Sequence, residues 1–195
     1  DDARAAITEA DLVVVSCFPF DVPTEVDALI DATRGARLAI DPNPRAGMLA
    51  DREEFVRGFE RLIPGAAVVK VGADDASLLY DGDLDALRAR LRAAGRGAVL
   101  ATAGSAGATL ESDAGIVTSA IAALPGRIVD TVGAGDATLA AVAAGLVLDA
   151  PSGLEAWRSL LERAMDVAAA TCRAEGGLLR TPESLAEADR GVHGS

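Results

Sequence analysis

The chain has 195 residues, of which 50% are hydrophobic and 3% aromatic, and its formal net charge is −12. This length and composition predict a globular protein with a substantial core and exclude an intrinsically disordered chain. The acidic charge argues against a nucleic acid partner, because such binding requires a basic face.

Membrane and secretion signals are missing from the sequence. No segment is long and apolar enough to span a bilayer, and no positively charged, apolar signal peptide opens the chain. Cys17 and Cys172 lie far apart in apolar segments, which predicts two buried free thiols in a reducing compartment. We therefore expect a cytoplasmic protein with no membrane partner.

The first half of the chain alternates between helical and strand-like segments. Residues 11–17 form a continuous apolar run with β-branched residues, which is typical of a strand buried on both faces. The helix that follows has an apolar face, and Gly35 is placed to end it. In order, the predicted elements are a helix at 3–10, a strand at 11–17, a helix at 23–34, a strand at 37–40, a helix at 49–62 and a strand at 66–71.

The second half continues this alternation with one antiparallel excursion. Asp83 is placed to cap a helix and Gly95 to end it. The turn at 112–115 joins two short alternating runs as a hairpin. In order, the predicted elements are the helix between Asp83 and Gly95, a strand at 97–102, hairpin strands at 107–111 and 115–119, a strand at 127–129, a helix at 137–148 and a helix at 154–173.

The order of these elements predicts an α/β fold with a mainly parallel sheet covered by helices on both faces. The long last helix is expected to turn Leu154, Trp157 and Leu161 inward. We expect one domain over residues 1–187, followed by a flexible tail at 188–195.

A glycine-rich motif, Asp130-Thr131-Val132-Gly133-Ala134-Gly135-Asp136, stands between a predicted strand and an apolar helix. Such a turn leaves backbone N–H groups without intrahelical partners at the positive end of the helix dipole, which makes an anion site. Asp136 fits a base that accepts the proton of a hydroxyl attacking a bound phosphate. Two alternatives stay open from the residues alone: Asp136 as a helix N-cap, and a dinucleotide turn through Gly133-x-Gly135-x-x-Thr138.

Three further polar motifs follow predicted strands, at the sheet edge where open α/β sheets bind ligands. Asp41-Pro42-Asn43-Pro44-Arg45 offers donors to an oxygen-rich ligand, or else is a rigid turn with a solvated arginine. The segment at 70–76 places carboxylates where they either order metal-bound water or cap the next helix. The segment at 102–107 either brings backbone close to phosphates or turns tightly into the hairpin. No Gly-x-x-x-x-Gly-Lys motif occurs, which excludes a P-loop NTPase.

The motif at 130–136 resembles the C-terminal signature of the ribokinase-like (PfkB) carbohydrate kinases, and the resemblance extends over nearly the whole chain. It implies a ribokinase-like three-layer α/β/α sandwich. It also implies ATP-dependent transfer of the γ-phosphoryl group to a sugar hydroxyl. The residues that the resemblance assigns in this motif are Asp136 as the catalytic base, Gly133, Ala134 and Gly135 as the anion hole, and Asp130 and Thr131 on the substrate and phosphate side.

The resemblance assigns roles outside the signature as well. Asp75 is implied to order hydrated magnesium through water, although Gly72 stands where the family often has an asparagine and supplies no ligand. Thr138 stands where the family usually has an aromatic residue, a departure that concerns packing behind the helix. Several motif details look most like the fructokinase branch. The other assigned residues are Asp41, Asn43 and Arg45 for the substrate or phosphate, and Thr102, Gly104, Gly107, Thr171 and Cys172 for the nucleotide.

The implied ligands are a small-molecule sugar, ATP and Mg²⁺, and whether a monovalent cation activates the protein stays open. The opening strands of the family, its lid sheet and most of its sugar contacts have no counterpart in this sequence, so the sugar cannot be named. We expect an exposed sheet edge that favours a homodimer, or an N-terminal half supplied by another chain. The alternative function is a non-catalytic nucleotide-binding fragment or split subunit of a sugar kinase. A third alternative is a dinucleotide-dependent oxidoreductase.

Overall fold

The computed structural model describes residues 2–44, 47 and 49–186. Among these residues, two short 3₁₀ turns occur, at Ile63–Gly65 and Gly104–Ala106. The strands are β1 (Val13–Ser16), β2 (Leu38–Asp41), β3 (Ala66–Gly72), β4 (Ala98–Thr102), β5 (Ala108–Ser112) and β6 (Gly115–Ser119). The helices are α1 (Asp2–Glu9), α2 (Pro23–Ala32), α3 (Arg52–Glu60), α4 (Ala73–Tyr80), α5 (Leu84–Ala94), α6 (Ala134–Leu148) and α7 (Leu154–Thr171).

The six strands form one sheet in the order β1-β2-β3-β4-β5-β6. Neighbouring strands from β1 to β4 pair in parallel. The two-residue connection at Asp113 and Ala114 makes β5 and β6 a hairpin. The predicted α/β fold with a mainly parallel sheet is therefore confirmed. Because parallel strands end along one edge, the carboxyl ends of β1 to β4 share an edge of the sheet.

Local signals begin three of the described helices, and the cap predicted at Asp83 is confirmed. The Asp83 carboxylate accepts a hydrogen bond of 2.8 Å from the amide of Ala86 and so begins α5. At the start of α3, Asp51 accepts 2.9 Å from the amide of Glu54. Pro23 opens α2, where its missing N–H leaves no intrahelical bond unmade.

The described residues form two compact units. The first comprises the described residues of Asp1–Ala103 together with Thr109–Ile116. Its core includes Phe20, which packs edge-on against the rings of Phe55 and Phe59 with centroid distances of 5.3 and 5.6 Å.

The second unit comprises the described residues of Gly104–Ala108 and Val117–Ser195. In it α6 packs on α7, and a side chain at Gly145 would overlap that of Leu160. None of the helices in the described part of the chain combines the length and apolar character that a bilayer crossing needs. One domain over 1–187 and a cytoplasmic location stay predictions, and residues 188–195 lie outside the described residues.

The strand predicted at 11–17 is shorter and less buried than expected. β1 has four residues, and Val14 is 52% exposed while Val15 is buried. β1 lies at the end of the strand order and pairs with β2 on one side in the described chain, and one of its two faces, that of Val14, is left uncovered. The prediction of a strand buried on both faces is therefore wrong.

The strand predicted at 127–129 is not formed in this described segment. The amide N–H groups of Val129 and Asp130 donate instead to the carbonyl oxygen of Cys172, at 2.8 and 3.3 Å. Hydrogen bonds to the residue that ends α7 take the place of pairing with a neighbouring strand. The β-branched residues at 128 and 129 favour a strand but do not indicate this partner.

Two side chains predicted to be buried are exposed. Cys17 follows β1 with a positive φ of 53°, so the chain turns there and the thiol lies at the surface, whereas Cys172 is buried as predicted. Leu154 begins α7 and is exposed, although Leu161 further along the helix is buried and Trp157 is half-buried.

Candidate functional site

The glycine-rich motif forms a loop that leads directly into α6. Gly133 has a φ of +79° and is the N-cap, and the helix begins at Ala134. This start is three residues earlier than position 137, where the sequence predicts it. Gly135 and Asp136 therefore belong to the first helical turn, and the Asp136 side chain is exposed.

The backbone amides of this loop are largely free to bind a ligand. Ala134 N–H donates to the Thr131 carbonyl at 3.3 Å. The amide N–H groups of Gly133, Gly135 and Asp136 have no acceptor among the described residues. Free donors at a helix N-terminus, together with the positive end of the dipole, favour an anion. The Asp136 carboxylate lies in the same turn, so a proton acceptor accompanies the anion-binding donors.

The Asp130 carboxylate connects the loop to the segment after α7 through two hydrogen bonds. One oxygen accepts the amide of Val132 at 3.0 Å, and the other accepts the amide of Gly176 at 3.2 Å. These backbone hydrogen bonds, that from Val132 first, hold the pKa of Asp130 below its usual value. Thr131 next to it is exposed. Substrate or phosphate contacts by Asp130 and Thr131 stay predictions.

The end of α7 packs against this loop with its polar groups already used. Thr171 is fully buried, and its hydroxyl oxygen accepts the amide of Arg180 at 3.1 Å. Cys172 is 8% exposed, and burial raises the pKa of its thiol. Its carbonyl accepts the amides of Val129 and Asp130, where the loop begins. The roles of Thr171 and Cys172 in nucleotide binding stay predictions. In the structure Cys172 supports the start of the loop, whereas Thr171 binds the backbone of Arg180.

Gly104 and Gly107 form a tight turn before β5 in the second unit. Their φ angles are +56° and +93°, and Gly107 N–H donates to the Gly104 carbonyl at 3.1 Å. A side chain at Gly107 would lie 2.8 Å from Cα of Ala120. These glycines are thus required by the turn itself. Contact with a nucleotide is a separate prediction.

In the first unit, Asp41 lies at the carboxyl end of β2 and is completely buried. Its carboxylate forms an ion pair of 2.9 Å with the ammonium group of Lys70, which is 7% exposed on β3. Asn43 follows with a φ of +36° in the loop after the strand. Arg45 lies outside the described residues. Direct substrate contact by Asp41 and Asn43 stays a prediction.

Asp75 and Thr102 lie close together in the first unit. Asp75 accepts the amide of Gly72 at 2.6 Å, and Thr102 donates its hydroxyl to the Val71 carbonyl at 3.3 Å. Burial raises the pKa of Asp75, against the opposing effect of the Gly72 hydrogen bond. The described part of the chain holds no cluster of three metal-ligating side chains. The water-mediated role of Asp75 in ordering magnesium stays a prediction.

The Lys70–Asp41 pair is the polar feature that sequence reasoning missed. A lysine inside the apolar run Ala66–Gly72 was the available signal, because a buried ammonium group requires a partner. Its partner could be identified only once β2 and β3 were known to be neighbours. Gly176 and Gly177, which approach the glycine-rich loop, carried no comparable signal.

Comparison with known proteins gives one family. The sequence profile of the pfkB family carbohydrate kinases matches residues 1–183. A fructokinase of Rhizobium leguminosarum bv. trifolii is 30% identical over 140 residues, which cover 69% of this chain and 41% of that protein.

Solved structures share the fold at lower identity. The aminoimidazole riboside kinase of Salmonella enterica, solved with aminoimidazole riboside and an ATP analog, has a TM-score of 0.73 and 22% identity over 90% of this chain and 61% of its own. A putative ribokinase II of E. coli, solved with ATP and Mg²⁺, has a TM-score of 0.71 and 20% identity over 98% of this chain and 61% of its own. The predicted ribokinase-like fold is confirmed. This chain spans about two fifths of the fructokinase and three fifths of the two solved kinases.

Proposed function

The chain belongs to the pfkB family of carbohydrate kinases, and from that membership we propose that it takes part in ATP-dependent phosphorylation of a sugar hydroxyl. The observation that carries the proposal is the exposed Asp136 carboxylate in the same helical turn as unpaired amides. In this turn an acceptor for a proton and donors for an anion occur together, directly after the left-handed Gly133 N-cap.

The reaction assigns one step to each group. The hydroxyl oxygen of the sugar bonds to the γ-phosphorus of ATP, the bond from that phosphorus to the β–γ bridging oxygen breaks, and ADP leaves. The hydroxyl proton passes to the Asp136 carboxylate. The free amides of Gly133 and Gly135 donate to the oxygens of the transferred group, where negative charge is stabilised. Magnesium, when bound with ATP, would neutralise phosphate charge. The described residues contain no group of three acidic, histidine or cysteine side chains that could hold it.

We propose a fructokinase-like acceptor as the finer assignment. The support is the 30% identity to the Rhizobium fructokinase and the Asp-Pro-Asn-Pro-Arg segment at 41–45. The structural likenesses do not select a sugar, because the solved relatives are described as kinases of different acceptors.

The Asp136→Asn variant tests the catalytic role. Loss of the proton acceptor is expected to lower kcat for sugar phosphorylation by about 10²–10⁴-fold, while the dissociation constant for ATP changes little. ADP release and calorimetry measure these two quantities. Asp149→Asn, at the opposite end of α6 and paired with Arg163, is the matched control. A kcat in Asp136→Asn that stays within about tenfold of the wild-type value would refute the assignment of Asp136 as base.

A second candidate function is that of a nucleotide-binding part of a sugar kinase, which needs a complementing chain or a second copy for activity. Its support is that this chain spans only part of the length of its relatives. It predicts heat on titration with ATP and Mg²⁺, and no ADP from any sugar in a panel. Sedimentation of the purified chain separates a homodimer from a monomer.

A further inference from the structure

Arg173 connects the end of α7 to the segment that precedes the glycine-rich loop. Its Nε donates to the carbonyl of Pro125 at 2.7 Å, and one terminal nitrogen donates to the carbonyl of Leu124. The other terminal nitrogen donates to the Ala169 carbonyl in the helix at 2.5 Å. All three partners of the guanidinium are backbone carbonyls.

An arginine near a helix C-terminus commonly serves the last carbonyls of that helix. Only the bond to Ala169 has that character. The other two bonds reach carbonyls 48 and 49 residues earlier in the chain. Helix capping therefore accounts for one of the three hydrogen bonds. The carbonyls of Leu124 and Pro125 orient the guanidinium group through the other two.

The segment held in this way has no strand ladder to fix it. Residues 127–129 are irregular and exposed, as described above for the predicted strand. Arg173 binds the segment at 124–125, and the Cys172 carbonyl binds it at Val129 and Asp130. Two consecutive residues at the end of α7 thus hold both ends of the approach to the loop.

We propose that Arg173 is a positioning residue for the phosphoryl-binding loop. It acts through the segment at 124–130, which fixes where Asp130 begins the loop and hence where the amides of Gly133 and Gly135 lie. The inference concerning ATP rests on the proposed function, whereas the inference concerning loop order does not.

Hydrogen exchange of the full chain tests the positioning directly. In Arg173→Lys, which keeps the charge and loses the fork, the hydrogen-bonded amides of Val129, Asp130 and Val132 are expected to exchange about tenfold faster, while those of α6 at 139–146 keep their protection. Arg163→Lys, an arginine of α7 that pairs with Asp149 instead, is expected to leave both regions unchanged. Unchanged exchange at Val129, Asp130 and Val132, or equal acceleration throughout both helices, would overturn the proposal.

Nucleotide binding supplies the second readout. The γ-phosphoryl group distinguishes ATP from ADP, so a displaced loop is expected to reduce the preference for ATP over ADP about fivefold or more, with ADP affinity unchanged. An Arg173→Lys protein that exchanges faster but keeps its full preference for ATP would also overturn the proposal. Wild-type protein without any preference for ATP would instead contradict the proposed function, and the exchange measurement would then decide the role of Arg173 alone.

Discussion

Replacing Gly133 by alanine tests whether the glycine-rich loop depends on its contact with the segment after α7. Gly133 has a φ of +79°, and an added Cβ would lie 2.8 Å from both Cα and the carbonyl oxygen of Gly177. The left-handed conformation costs alanine about 1–2 kcal/mol. The Cβ would also lie about 0.7 Å inside the optimum carbon–carbon separation. Because the neighbour is backbone, the chain has to move, at a cost of about 1–3 kcal/mol. We expect the free energy of unfolding to fall by about 2–5 kcal/mol in total.

Gly126→Ala is the matched control for this prediction. Gly126 lies in the same unit with a φ of +88°, and its added Cβ would meet Arg173 Cδ at 3.8 Å, an ordinary contact. It therefore measures the conformational cost alone. Urea unfolding followed by the fluorescence of Trp157, the single tryptophan, reports on this unit. If both alanine variants lose the same free energy of unfolding, the close approach of Gly133 to Gly177 has no energetic role and the reasoning fails.

Two further predictions concern buried groups. Lys70→Met removes the lysine partner of the buried Asp41 carboxylate and is expected to lower the free energy of unfolding by about 3–5 kcal/mol in urea titrations followed by circular dichroism. Arg61→Met, which removes a surface pair, should cost under about 1 kcal/mol, and equal losses would contradict a structural role for the buried pair. A maleimide is expected to label Cys17 in the native protein, whereas Cys172, buried and with its pKa raised by burial, reacts after unfolding. Equal native rates, read by mass spectrometry, would show this burial to be wrong.

Elements with several agreeing local signals could be predicted from the sequence. The helix α5 is an example, since Asp83 caps it, Leu87 and Leu91 form its buried face, and Gly95 ends it. The segment at 127–129 is the opposite case. Its β-branched residues favour a strand, but its amides bond to Cys172, and no local pattern encodes that partner.

The candidate site divides in the same way. The chemistry of the loop at 130–136 follows from its own residues: glycines permit the turn, and Asp136 is both polar and exposed. The burial of Thr171 and the three bonds of Arg173 depend on how α7 and the segment at 124–125 meet. Spacing along the chain contains no information on that meeting, so the sequence assigns Thr171 to the nucleotide by resemblance and indicates no role for Arg173.

The arrangement around the loop meets two requirements that usually conflict. A loop that binds an anion through its amides must leave those amides unbonded, yet electrostatic stabilisation of a transition state needs donors that are already fixed in place. A loop rigidified by its own internal amide bonds would satisfy the second requirement and fail the first. Here the hydrogen bonds that hold the loop in place are accepted by the Asp130 carboxylate and by the carbonyl of Cys172. The amides of Gly135 and Asp136 take no part in them. Rigidity supplied from α7 and the segment after it therefore leaves the helix N-terminus available to the phosphoryl group that the proposed function assigns to it.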